Sequence, residues 1–325
     1  MSSSSSTSPQ ATSQGETMAP RRLADYIERI KEADKTSSQT TARPFNNGTA
    51  TQPPIIRGRV NRILLFPGSF NPPHQGHLDL LKHVFYDAGA DLNIIAAIII
   101  TTDDERLKMK MDGRESGIVL SREKRVNLWH GDGIPVDWAW AYDNSEASWP
   151  GFRAKLVNAL KRDRVDLKFT LLLGPDAITA AGGYNPVGWN CGDAITSDIS
   201  RPVDFRYPNS LRQLAGCTPW VNLQDGRPRF DNRISICRQN RVRPRGTIRF
   251  VPCDLDRRPQ DAPSSTKIRK IIESSPQEEW EEKLKGIALH PKLLVEYLKE
   301  LPPPTKPAAE SKEDLAKKQW ESIVW

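Results

Sequence analysis

The chain has 325 residues, with 47 Lys and Arg against 40 Asp and Glu, a formal net charge of +7 and a hydrophobic fraction of 37%. Such a length can bury a large core, and the positive excess suits an anionic ligand without identifying one. No apolar run approaches the roughly 20 residues of a membrane span, and Cys191, Cys217, Cys237 and Cys253 show neither CxxC spacing nor a secretory context. They read as reduced thiols in a cytoplasmic or nuclear protein.

In chain order, the opening residues are Ser, Thr, Gln and Pro with little to bury, so disorder is expected there. They lack the apolar stretch of a signal peptide and the arginines of a transit peptide. Leu23 to Lys35 can form one short amphipathic helix, and residues 36–59 return to a polar linker, so 1–59 are expected to be a tail. Arg62–Phe66 reads as a buried strand, His74–Gly89 as a helix and Asn93–Ile100 as a second strand, β-branched and too short to span a membrane. Ser121–Trp129 and Trp149–Lys161 read as helices, and Lys168–Leu173, Arg233–Cys237 and Thr247–Val251 as strands. The alternation implies a mostly parallel sheet with helices on both faces. Leu294, Tyr297, Leu298 and Leu301 recur at helical spacing, which predicts a core-facing closing helix, with Pro291 as its first residue and His290 before it. Folding is expected over 60–301, with a charged tail at 302–325.

The stretch 182–246 is rich in Gly, Pro and Asn and lacks clear periodicity, so it reads as an expanded insert. Within it and just beyond, Arg227, Arg229, Arg233, Arg238, Arg241, Arg243, Arg245 and Arg249 form a basic run. Aromatic interleaving is sparse, so the run reads as solvated, phosphate-facing or partner-facing rather than nucleic-acid-binding.

Three segments carry chemistry. In Gly68-Ser-Phe-Asn-Pro-Pro-His-Gln-Gly-His77 a strand meets a Gly/Pro turn and a helix start, where backbone N–H groups and the positive end of the helix dipole favour an anion. His74 and His77, three apart, share a helical face. Gly76 keeps the space beside them clear, and Gly68 lets the backbone approach a ligand. A zinc site on the two imidazoles is the competing reading, though no clear Cys or acidic cluster accompanies them. Lys168-Phe-Thr-Leu-Leu-Leu-Gly-Pro-Asp176 ends a strand in Gly-x-Asp, where open α/β sheets bind ligands; Asp176 also suits a helix N-cap. Ala262-Pro-Ser-Ser-Thr-Lys-Ile-Arg-Lys270 places hydroxyls and amides at a helix start with Arg269 one turn on, a second phosphate cradle.

Taken together, these segments resemble the HxGH nucleotidylyltransferase superfamily, and within it the nicotinamide/nicotinate mononucleotide adenylyltransferases. The resemblance rests on GSFNPPHQGH, LLLGPD, SSTxIR and a closing helix in the right order, with Pro263 replacing the usual Ile. It implies a Rossmann-like nucleotidyltransferase fold and adenylyl transfer from ATP to a mononucleotide phosphate, with Mg²⁺ accompanying ATP rather than held by protein side chains. It casts His74, His77 and Arg269 as catalytic. Gly68, Ser69, Phe70, Gly174, Asp176, Ser264, Ser265 and Thr266 would bind nucleotide. Trp138, Trp140, Trp189, Arg122 and Arg125 are acceptor-binding candidates, the two tryptophans at 138 and 140 sharing strand parity and hence one face. Competing readings are a different phosphate acceptor, or a nucleotide-binding regulatory homologue without turnover. The partners expected are small molecules, not membrane or nucleic acid.

Overall fold

The computed structural model describes residues 22–34, 44–45, 55–112, 118–131, 133–182, 186–223, 233–240, 246–255, 258 and 261–301. Its first element, α1 (Leu23–Ala33), buries Leu23, Ala24, Tyr26, Ile27 and Ile30. Those positions recur every three or four residues, so one face of the helix is apolar and seeks a core. That core is the main one, where α1 and Phe45 pack with the sheet. The expected boundary at residue 60 is therefore corrected: α1 belongs to the folded body. The short helix was legible in the sequence, but its partner lies more than a hundred residues away.

Next come β1 (Asn61–Gly68), α2 (Gln75–Asp87), β2 (Ile94–Thr101), α3 (Asp104–Met111), α4 (Arg122–Asn127), β3 (Ala139–Ala141), α5 (Trp149–Arg162) and β4 (Leu167–Leu172). The strands β5 (Asp193–Ser197), β6 (Arg206–Tyr207), β7 (Ser210–Leu211), β8 (Val221–Asn222), β9 (Ser235–Arg238) and β10 (Thr247–Val251) follow. Three helices close the fold: α6 (Ser265–Ser274), α7 (Trp280–Leu284) and α8 (Pro291–Lys299).

Eight strands form one sheet in the order β3-β2-β1-β4-β5-β10-β9-β8. The pairs from β3 to β10 are parallel, whereas β9 and β8 are antiparallel. This is the Rossmann-like arrangement. Its strand order reverses between β1 and β4, and ligands of such sheets bind beyond the carboxyl ends of the strands at that point. Alternation along β1 feeds two cores: Ile63 and Leu65 pack under α1 and α5, Leu64 and Phe66 under α2. Covering both faces explains why β1 and β2 read as nearly continuous apolar runs.

The stretch 182–246 is only partly an insert. Its β5 sits centrally between β4 and β10, with Ala194 to Ser197 buried. Thr247 donates to Asp193 Oδ1 through its amide (3.0 Å) and hydroxyl (2.7 Å), fixing the β5/β10 start. A five-residue strand that follows Gly192 carries little periodic signal. A separate core around Phe205, Leu214, Cys237 and Phe250 draws on β5, β9 and β10, with Leu211 of β7 packed against it. Of the basic run, Arg227, Arg229, Arg241, Arg243 and Arg245 lie outside the described residues. Arg249 is an internal brace instead, donating to Ala88 O at 2.6 Å and to Asp91 Oδ1 at 3.0 Å. No described helix is long and apolar enough to cross a membrane.

Candidate functional site

The turn after β1 is held from several sides. A Cβ at Gly68 would lie 2.6 to 2.9 Å from the ring of Phe70, so only glycine fits. Gly68 thus makes room for a neighbouring ring while also lining the cleft. Phe70 itself has a left-handed backbone, φ +44°. That conformation costs a bulky residue roughly 1–3 kcal/mol. Edge-on packing with Phe66 and Trp129 (5.2 Å each) and His77 (4.9 Å) holds it there. Asn71 donates to Ile118 O (2.8 Å) and accepts from the Leu120 amide (3.0 Å).

Arg125 is fully buried and donates to Ser69 O (2.7 Å), Leu120 O (2.9 Å) and Asp104 Oδ1 (2.6 Å). Arg122 donates to Asp143 O and Asn144 O, both at 2.9 Å. These two arginines brace loops rather than reach into the cleft, a correction to their reading as acceptor contacts.

His74 immediately precedes α2 and His77 lies in its first turn. Their rings stack at 3.6 Å with 26° between planes. The His74 amide donates to His77 Nδ1 at 3.2 Å, so a neutral His77 carries its proton on Nε2. His74 is 3% exposed, and its buried Nδ1 has no hydrogen-bond partner among the described residues, on a residue that lines a cavity. Burial, followed by the charge of Arg201, lowers the His74 pKa to about 3. Burial, then His74, Arg201 and Lys110, holds His77 well below its ordinary value. Both imidazoles are therefore neutral at physiological pH, and an anion in contact would raise both. The helix start is also less open than its sequence suggests. The Gln75 amide donates to Ile287 O (2.8 Å) and the His77 amide to His74 O (2.9 Å).

Opposite stands the start of α6. Ser264 caps the helix, accepting from the Lys267 amide at 3.0 Å. Ser265 donates to Pro72 O (2.8 Å), and Arg269 donates to Asn71 O (2.7 Å) and Thr266 Oγ1 (3.1 Å). Segments nearly two hundred residues apart are thereby joined, and Pro263, the departure from the family pattern, has its carbonyl 3.4 Å from where a Gly76 Cβ would sit.

The third wall follows β4. A Cβ at Gly174 would meet Asp176 Oδ1 at 2.7 Å, so glycine lets the carboxylate fold back. Residues 174–180 form turns and no helix, so Asp176 caps none; its side chain is 75% exposed and lies 3.8 Å from Arg201.

All these groups border one cleft of about 690 Å³, which brings together His74, His77, Gly68, Ser69, Phe70, Gly174, Asp176, Ser264, Ser265, Thr266 and Arg269. It also takes in Lys110 of α3 and Ser200 and Arg201 after β5, which sequence reasoning missed. Lys110 donates to the Ser69 hydroxyl at 2.9 Å. Both cations follow the carboxyl end of a parallel strand, a signal usable only once β5 and the register are known.

The candidate tryptophans lie elsewhere. Trp138 stacks on Phe85 at 3.7 Å and donates to the Tyr86 hydroxyl at 3.0 Å. Trp140 is buried in the opposite core with Phe45 and Tyr142. Trp138 precedes β3 in a turn, so strand parity does not apply and the shared-face expectation is overturned. Trp189 packs against the same core as Trp140.

Among the described residues no three His, Cys, Asp or Glu cluster in a way that could hold a metal ion.

Residues 65–187 match the cytidylyltransferase-like family model, a span that covers the histidine turn and the Gly-Pro-Asp segment. Among solved structures, the chain aligns with Plasmodium falciparum nicotinic acid mononucleotide adenylyltransferase complexed with NaAD. That alignment has 13% identity and a TM-score of 0.38 over 74% of this chain and 95% of that one. No curated protein matches.

Proposed function

From the premise that residues 65–187 match a cytidylyltransferase-like domain, we propose that this chain transfers the adenylyl group of ATP to the phosphate of nicotinamide or nicotinate mononucleotide. An acceptor phosphate oxygen forms a bond to the α-phosphorus, and the bond from that phosphorus to the bridging oxygen of the β-phosphate breaks. Pyrophosphate leaves with that electron pair, and NAD or deamido-NAD is the other product. The observation that carries the reading is convergence. The HxGH turn, Gly174-Pro-Asp176 and Ser264-Ser-Thr266 with Arg269 meet in one cleft at the switch point of a parallel sheet.

Both reactants are anionic, so alignment and neutralisation of charge are the protein's main tasks. Arg269, already oriented by Asn71 O and Thr266 Oγ1, supplies a permanent charge for the leaving phosphates. His77 offers Nε2–H as a donor to an α-phosphoryl oxygen, and the orphaned His74 Nδ1 offers a second polar contact. The His77 Nε2–H donor strengthens as negative charge gathers on the α-phosphoryl oxygens. Mg²⁺ commonly binds through one or two carboxylates plus substrate phosphates. Asp176, exposed at the cleft, fits that role, and the ion would neutralise phosphate charge.

The burial of Trp138 and Trp140 favours a second reading for the acceptor alone: the same transfer to a different phosphate. Purified protein incubated with ATP, Mg²⁺ and each mononucleotide separately tests both. Dinucleotide formation that falls roughly 10²–10³-fold in His77→Ala supports the first reading. ATP binding without dinucleotide from either acceptor selects the second.

A further inference from the structure

The motif side chains place few permanent charges against a polyanionic nucleotide. His74 and His77 are held neutral, which leaves Arg269 as the motifs' fixed cation in the cleft. Arg201 also lines this cleft, from a loop that no motif predicts. It reaches across the mouth from the end of β5 to Asp176 beyond β4, with Nη1 3.8 Å from Asp176 Oδ2, and is 40% exposed. At that separation the ion pair is loose, and its guanidinium remains presented to the cavity.

The loop bearing it is rigidly built. Asp198, fully buried, accepts from Arg206 (2.6 Å) and Arg258 and from the Cys253 amide (2.8 Å). Arg206 also donates to Cys253 O (3.0 Å), and the Ile199 amide to Ser197 Oγ (3.2 Å). The carboxyl ends of β5 and β10 are thus tied together two and three residues before Ser200 and Arg201. Removing a carboxylate from water against two arginines is costly unless its geometry is well satisfied, and here it is. The clamp fixes where the Arg201 backbone leaves the sheet.

Building on the proposed reading of the cleft as a nucleoside triphosphate site, we propose that Arg201 is a further substrate-contacting residue. It leaves Asp176 to bind the phosphate chain of the nucleotide, with the Asp198–Arg206–Arg258 clamp as its positioning device. Arg201 then faces Arg269 across the phosphates, one cation from each wall. A planar guanidinium suits bidentate contact with phosphate, which lysine cannot reproduce.

The test is isothermal titration of the full chain and of Arg201→Gln and Arg201→Lys with ATP, inorganic tripolyphosphate and adenosine, alongside melting temperatures. The expected result is a tenfold or greater loss of ATP and tripolyphosphate affinity in Arg201→Gln, with partial recovery in Arg201→Lys. Adenosine affinity stays within twofold, and the melting temperature is unchanged. If the wild type binds ATP and Arg201→Gln binds it equally well, the inference is overturned and the proposed function stands. Equal losses for adenosine and ATP also overturn it, because the residue would then be shaping the cleft. If the wild type binds neither ATP nor tripolyphosphate, the proposed function fails first and takes this inference with it.

Discussion

Replacing Gly68 by alanine places a methyl group 2.6 Å from the nearest Phe70 ring atom, where ordinary contact begins at 3.4 Å, so ring or turn must retreat by about 0.8 Å. The ring cannot swing freely, because Phe66, Trp129 and His77 enclose it at centroid distances of 5.2, 5.2 and 4.9 Å. Overpacking of this kind costs about 1–3 kcal/mol. The displacement falls on the residue leading to Asn71, whose carbonyl receives Arg269, and on His77, so the histidine turn shifts with it. A misplacement near 1 Å can cost on the order of 10²-fold in rate. Urea unfolding should therefore show a loss of about 1–3 kcal/mol in Gly68→Ala, and kcat/KM should fall about 10²-fold. Gly68→Ala/Phe70→Leu, which removes the clashing ring atoms, should recover more stability than the sum of the single changes allows. A Gly68→Ala protein within about 0.5 kcal/mol of wild type and within twofold in kcat/KM would refute this account of the turn.

Acid should destabilise the fold through the histidine pair. His74 has a folded pKa of about 3 against an ordinary 6.5, so its contribution is complete above 6.5 and is lost as pH falls below it. By pH 5 the loss from His74 alone is about 2 kcal/mol; urea midpoints at pH 8 and pH 5 should show this, and His74→Asn should flatten the difference. Arg125→Met leaves the Ser69 and Leu120 carbonyls and Asp104 without their donor. A loss of about 3–5 kcal/mol is expected, read by denaturant unfolding; a loss below about 1 kcal/mol would contradict the brace. Ile27→Ala in α1 should cost about 2–5 kcal/mol, because Ile27 is fully buried in the main core. A change near zero would mean that α1 detaches in solution. Trp140→Phe should leave the acceptor KM within twofold, and a larger specific rise would return this residue to the acceptor site.

Local sequence determined the parts whose signal is short-range. Apolar runs with β-branching marked β1 and β2, a Gly/Pro turn marked the exit from β1, and hydroxyls before Ile268 and Arg269 marked the start of α6. The motifs that meet in the cleft were legible for the same reason: each is a contiguous string. What required tertiary structure was every fact set by a distant partner. α1 is core because α5 and Phe45 cover its apolar stripe, and the short β5 is central because β4 and β10 flank it. The contact that requires glycine at 68 exists only because the left-handed Phe70 turns its ring back onto it. Arg125 and Arg249 carry the residue type of a phosphate contact, yet their charges are spent on carbonyls and carboxylates inside the fold. The protonation of His74 and His77 belongs to the same class. Two imidazoles three residues apart in sequence say nothing of their charge, whereas burial and nearby cations decide that they rest neutral. Electrostatics and packing sum over neighbours in space, and that sum is unavailable until the chain has brought those neighbours together.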